Sequence, residues 1–325
     1  MRSLIIGGSG FVGTYLERHL RTLGHETHIT KMPKERVGRN ETGRYEQDIA
    51  AAVWDLDILD AKAVSRLIER IQPDYIFHLA AQSSVVVSWE RPGLTADINI
   101  RGSIHVLEPV RRQKKKMRVL LIGSGEEYGK ISQEEVPVCE ECRVRPGNIY
   151  AATKVCQNMI GAIYAQAYGM DVLMVRAFNH IGPKQSPIFV LSDFCRQTAE
   201  IEAGKKEAVI KTGNLDAKRD FTDVRDVVRA YALLTEKGKA GETYNIGSGH
   251  AVRVGDILQM ILEQSKVKFR IETDPKKFRP LDVPVIEADI RKVCERTGWI
   301  PQISLEQTVR ETLDDWREKV NRGYR

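Results

Sequence analysis

The sequence predicts an α/β protein, a doubly wound parallel sheet carrying a smaller α/β lobe, and three observations support that class. Short apolar runs alternate with amphipathic stretches of helical length as far as about Arg176. A glycine-rich turn stands between the first run and the first helical stretch. Beyond Arg176 the alternation loosens into segments punctuated by proline and glycine. Parallel pairing needs such alternation, because each crossover returns the chain to the same end of the sheet.

The elements follow in order. A strand near 2–6 holds the apolar run Leu4–Ile6 and meets Gly7-Gly8-Ser9-Gly10-Phe11-Val12-Gly13, then an amphipathic segment to about Thr22. Glu26–Thr30 reads as the second strand, and the polar segment 31–51 is too long for a simple turn. The third strand is Val53–Leu56, with further strands near 75–79, 118–122 and 171–175 and helices around 92–112 and 150–167. A further βα-like unit spans Val224–Ala232, and a last helix runs from Leu305 to about Lys319. This order assigns residues 1–176 plus about 220–247 to one domain, interleaved with a lobe of about 177–219 and 248–325.

Composition bounds the function. A chain of 325 residues, 42% hydrophobic and 29% charged, can bury one large core and a smaller one. It has no apolar run long enough for a membrane span and no secretory start, so no membrane partner is expected. Five scattered cysteines suit a reducing cytoplasm. Cys139 and Cys142 form a C-x-x-C without a second pair at zinc spacing, which reads as free thiols beside a turn, and no metal is expected. A net charge of +6 asks for an anionic partner. The densest basic run, Arg111 to Lys116, falls where a helix should end, where cations are favourable, and lacks aromatic interleaving, so nucleic acid is not expected.

Two motifs carry chemistry. Gly7, Gly10 and Gly13, after a strand and opening a helix, form a dinucleotide fingerprint with GxxGxxG spacing, in which the helix N-terminus meets a pyrophosphate. Near the end of the second strand stand Thr30 and Lys31, followed by Lys34 and Arg36 rather than a carboxylate. That substitution favours a ribose 2′-phosphate, hence NADP(H), and Asp57 is placed to meet the adenine edge. The second motif is Tyr150 and Lys154 in NIYAATK. At i and i+4 they share a helix face, where an ammonium is expected to lower the phenol's pKa and let it exchange a proton with an alcohol/carbonyl couple.

Together with His78-Leu79-Ala80-Ala81, Asn99 in NIRGS, Ser124 in IGSGEEYG and the string RAFNHIGP from Arg176, these landmarks resemble the extended short-chain dehydrogenases/reductases that modify nucleotide sugars. The resemblance runs over essentially the whole chain. It implies a Rossmann-type domain whose cofactor contacts include Phe11, Val12 and Ile58 beside the residues above, among them Leu79, Ala80, Ala81, Asn99 and Arg176. The strings Gly213–Phe221 and Phe278-Arg279-Pro280 resemble the GDP-mannose branch, shared by 4,6-dehydratases and GDP-4-keto-6-deoxy-D-mannose reductases. There Arg219 and Arg279, with Asp282, would contact the nucleotide, and Ser83, Ser84 and Asn179 the sugar. The NHIGPKQSPIF run is similar to the reductases, which implies reduction of a GDP-linked 6-deoxy-4-keto sugar by Ser124, Tyr150 and Lys154. Glu126 stands where dehydratases carry a base, whereas Gly125 and Ser124 depart from the dehydratase pattern, so both reactions stay open. An epimerase and a non-catalytic NADP-binding protein are further alternatives. The resemblance also implies a homodimer through the helices around 92–112 and 150–167.

Overall fold

The computed structural model describes residues 1–33, 51–278 and 283–323. In chain order the first half contains β1 (Arg2–Ile6), α1 (Phe11–Thr22), β2 (Glu26–Lys31), β3 (Ala52–Asp55), α2 (Ala61–Ile71), β4 (Tyr75–His78), α3 (Val85–Glu90), α4 (Pro92–Ala96), α5 (Gly102–Arg112), β5 (Arg118–Ser124) and α6 (Ile149–Tyr168). Then come β6 (Val172–Ala177), β7 (Asn179–Ile181), α7 (Val190–Glu202), β8 (Val209–Thr212), β9 (Lys218–Asp223), α8 (Val224–Lys237) and β10 (Thr243–Ile246). The chain closes with β11 (Ala251–Arg253), α9 (Val254–Glu263), β12 (Arg270–Thr273), β13 (Val285–Ile286), α10 (Arg291–Thr297) and α11 (Leu305–Asn321).

Seven parallel strands form the main sheet in the order β10-β6-β5-β4-β1-β2-β3. Strand periodicity explains why it is covered on both faces. Leu4, Ile6, Val119, Leu121, Val172 and Met174 point to one core with side chains of α2 and α5. The alternating residues Ile5, Leu120, Ile122, Leu173 and Val175 point to the other, against α1 and α8. Each such side chain, fully buried, stabilises the fold by roughly 1.5–3 kcal/mol.

The smaller lobe surrounds a third core, in which Leu191 and Phe194 of α7, Ile257 and Leu258 of α9, and Leu313 and Trp316 of α11 meet Ile210 and Phe221. Its strands are short: β9 pairs with β7, β11 and β13, and β8 with β12.

The structure refines the sequence reading at two places. The main sheet has a seventh strand, β10, that the reading of strands omitted; its run TYNI places only Tyr244 and Ile246 in the core, too brief a signal to separate from a turn. The segment expected as one helix around 92–112 is α4, a π-helical turn at Asp97–Arg101, and α5.

Candidate active site

The parallel strands of the main sheet all end on one side, and the sequence reverses direction between β1, which runs to β2, and β4. A crevice at such a reversal is where doubly wound sheets bind ligands. Gly7, Lys31, Asp57, Leu79, Ser124 and Arg176 all lie at or just beyond the carboxyl ends of these strands.

The turn after β1 is made by the absence of side chains. Gly7 has φ +84°, and a Cβ on it would sit 2.7 Å from the Ala80 nitrogen. A Cβ on Gly13 would lie 2.5 Å from the Gly8 Cα, so glycine lets α1 press against the turn. Gly10 is the N-cap of α1, which has no capping side chain and no acid in its first turn. The N–H groups of Phe11, Val12 and Gly13 therefore belong to an uncapped positive helix end, and a dinucleotide pyrophosphate fits there. Thr30 is buried and its hydroxyl accepts from the Gly7 N–H at 2.9 Å, so it braces the turn rather than facing a ribose. Half-buried Lys31 follows it at the end of β2. Asp57 Oδ1 accepts from the Leu59 N–H, and Ile58 is buried against Gly102 of α5. Lys34, Arg36, Arg279 and Asp282 lie outside the described residues.

The reacting groups come from β5 and α6. Asn148 caps α6 through Oδ1 to the Ala151 N–H, and Tyr150, Lys154, Gln157, Asn158 and Gly161 form one buried stripe along it. Tyr150 and Ser124 are both 8% exposed. Burial pushes the Tyr150 phenol well above its ordinary pKa, and the neighbouring Ser124 hydroxyl only partly opposes this. Lys154 donates to the Ile122 carbonyl at 2.7 Å and to Gln157 Oε1 at 3.0 Å, and burial holds its pKa down to about 8 against the pull of Glu127. The expected lowering of the phenol by Lys154 thus gives way to desolvation: Tyr150 rests protonated.

Beneath this pair lies a support that sequence reasoning missed. Fully buried Glu127 accepts the Ser124 N–H at 2.9 Å, both its oxygens accept from Asn158 Nδ2, and Oε2 accepts from Arg176 Nε at 3.0 Å. Burial raises its pKa while Arg176 and the N–H donors pull it down. Arg176 also donates to the Tyr128 hydroxyl and the Glu140 carbonyl, so its guanidinium braces the site from below. Asn99 likewise bridges, from Gln82 to Thr153. Carrying the α6 stripe two turns beyond Tyr150 would have reached Gln157 and Asn158.

The remaining predicted residues divide by accessibility. Glu126 is half-buried, with Oε2 accepting from Asn148 Nδ2 at 3.2 Å. Ser83 and Asn179 are exposed, Ala81 is half-exposed, and Ser84 caps α3. Arg219 is buried in β9 and donates to the carbonyls of Lys218 and Val283. Among the described residues no cluster could hold a metal ion, and no helix is long and apolar enough to cross a membrane.

A family model described as GDP-mannose 4,6 dehydratase matches residues 4–312. GDP-6-deoxy-D-mannose reductase of Pseudomonas aeruginosa is 30% identical over 98% of both chains. GDP-mannose 4,6-dehydratase of Yersinia enterocolitica is 27% identical over 96% of this chain and 92% of its own. A solved structure of RMD from Pseudomonas aeruginosa complexed with NADPH superposes with a TM-score of 0.84 at 29% identity, covering 98% of this chain and 99% of that one. With the match extending through both the glycine turn and the Tyr150/Lys154 helix, this chain belongs to the GDP-mannose 4,6-dehydratase family.

Proposed function

We propose that this protein is a cytoplasmic, homodimeric reductase that uses NADPH to convert the C4 ketone of GDP-4-keto-6-deoxy-D-mannose to GDP-D-rhamnose. The observation that carries this reading is at Gly125. Dehydration across C5–C6 asks for a side chain there that assists departure of the C6 hydroxyl, but a Cβ on Gly125 would stand 3.0 Å from the buried Phe178 ring. A side chain at position 125 fits only if the Phe178 ring gives by a few tenths of an ångström.

The residues then divide the work. NADPH, when bound, supplies the hydride for C4. The N-terminus of α1 holds its pyrophosphate, and Lys31 offers a cation to the 2′-phosphate, in keeping with the NADPH complex of the structural relative. Tyr150 gives its proton to O4, and its raised pKa keeps that proton in place beforehand. Ser124 donates a hydrogen bond to O4, and the Lys154 ammonium stabilises the phenolate that Tyr150 becomes. By the resemblance, Arg219 and Arg279 would contact the nucleotide diphosphate, whose charge suits guanidinium donors. Apolar side chains left exposed on α6, Met159 and Ile163, with Trp89 on α3, support pairing of two copies along that face.

The alternative is the 4,6-dehydratase reaction, which Glu126 favours by standing two residues beyond Ser124. Two incubations separate them: GDP-mannose with the protein and NADP⁺, and the keto sugar nucleotide with NADPH. A reductase consumes NADPH only in the second and leaves GDP-mannose intact; conversion of GDP-mannose without net cofactor loss overturns the proposal. Tyr150→Phe should lower turnover by a factor on the order of 10²–10⁴ while NADPH still binds.

A further inference from the structure

The C-x-x-C of Cys139 and Cys142 lies in the support of the active site, and its geometry is that of a dithiol ready to close. The two sulfurs are 3.2 Å apart, and the Cys142 N–H donates to the Cys139 carbonyl, so the pair spans one tight turn. A β-turn brings its first and fourth Cα within 7 Å, a separation that a disulfide tolerates. Both thiols are half-buried, not sealed. Nearby, Lys130, Ile131, Ser132, Glu135 and Arg145 line an open cleft of about 540 Å³, with neither sulfur in its lining. Among the described residues no third ligand completes a metal site.

The turn is wired to Ser124. Its inner residue Glu140 accepts Arg176 Nη1 at its carbonyl and the Asn245 N–H at its carboxylate. Arg176 holds Glu127, and Glu127 holds the Ser124 N–H. On the far side of the turn the Arg145 N–H returns to the carbonyls of Glu127 and Tyr128. Drawing the sulfurs from 3.2 Å to a bonded separation of about 2 Å therefore shifts a turn that is tied at both ends to the β5 loop.

We propose that Cys139 and Cys142 are a reversible redox site, closed by a small-molecule disulfide, whose closure loosens the support of Ser124. One thiolate attacks a sulfur of the small disulfide, forming a mixed disulfide and expelling one small thiol. The second cysteine then attacks the mixed disulfide, forming the protein disulfide and expelling the other small thiol. Two protein thiols are oxidised and one small disulfide is reduced to two thiols. The reaction is independent of which sugar nucleotide the site takes.

The test equilibrates the purified protein with mixtures of reduced and oxidised glutathione, alkylates the remaining thiols after denaturation, and maps the products by mass. The expected result is loss of both thiols in the 139–142 peptide with Cys156, Cys195 and Cys294 still alkylated, reversed by dithiothreitol. Cys139→Ser should stop at a single glutathione adduct on Cys142. Hydrogen exchange of residues 122–129 should quicken several-fold in the oxidised protein. Thiols at 139 and 142 that stay alkylatable across the whole range overturn the site, and a mapped disulfide with unchanged exchange overturns its link to Ser124.

Discussion

The loops that follow β1 and β5 leave the same end of the sheet and face the same crevice, but they are held by opposite means. Backbone packing fixes the β1 loop: Gly7 against Ala80, Gly13 against Gly8, and a single side-chain brace from Thr30. Buried charge fixes the β5 loop: Glu127 gathers the Ser124 N–H, Asn158 and Arg176 into one network. The first arrangement leaves helix N–H groups open to an anion. The second holds a hydroxyl at one position, as a proton-transfer site requires. A loop that must admit a phosphate is built by removing side chains, and one that must aim a side chain is built by satisfying a charge beneath it.

That contrast predicts which loop fails harder. Glu127→Ala removes one partner of a buried ion pair and leaves Arg176 uncompensated, a class of change that costs about 3–5 kcal/mol. The denaturation midpoint should fall accordingly, and turnover should fall with it because Ser124 loses its anchor. A loss under about 1 kcal/mol would mean that the charge network does not hold this loop. The β1 loop should break more gently. In Gly13→Ala the new methyl overpacks against Gly8 at a cost of about 1–3 kcal/mol. Alanine's helix preference over glycine returns nearly 1 kcal/mol of that. A net loss of up to about 2 kcal/mol is expected, with a larger relative loss in NADPH affinity measured by titration, since α1 must move away from the pyrophosphate.

The same contrast explains what the sequence discloses. Glycines at fixed spacing after an apolar strand are visible because their chemistry is their absence of side chain, and Tyr150/Lys154 are visible because a helix converts a four-residue spacing into contact. Glu127 is not visible, because Glu126 beside it is the same residue type. Only the turn at Gly125–Tyr128 sends one carboxylate inward and leaves the other half-buried beside Asn148. Arg176 is conspicuous in its string, but its destination depends on β6 pairing with β5, a contact between distant segments. The parallel sheet was legible from its alternation, whereas β10 was not, since Asn245, buried in its middle, separates its two apolar residues.

Lys154 sharpens the comparison because it is the β5 site's mobile charge. Its pKa is held down from 10.5 to about 8 by burial. Turnover should be flat below that value and fall by up to tenfold per pH unit above it, as the ammonium that assists Tyr150 is lost. Its effect on stability has the opposite sign. Between about 8 and 10.5 the unfolded chain binds the proton and the folded one does not, so this residue's contribution to stability rises with pH. Comparing wild type with Lys154→Met across that window isolates the term. Activity and stability that fall together in wild type, with no difference between the two proteins' stability slopes, would place the titration elsewhere.

The smallest effect is expected at Glu126, the residue that divides reductase from dehydratase. Its Oε2 accepts from Asn148, the side chain that caps α6 two residues before Tyr150. Glu126→Gln keeps the shape and leaves the cap's Oδ1 bond to Ala151 intact, so stability should change by less than about 0.5 kcal/mol, as for a partly exposed polar site. If Glu126 only helps bind the C6 region, KM for the keto sugar nucleotide should rise a few-fold with turnover nearly unchanged, the signature of a lost ground-state contact. A base for elimination behaves differently: with GDP-mannose and NADP⁺ as the assay, turnover would collapse while KM stayed put. The amide substitution thus reads the role of this carboxylate directly, because it removes basicity and spares packing. A collapse in turnover of GDP-mannose would mean that elimination needs no side chain at position 125, and that Gly125 is not what selects the reaction.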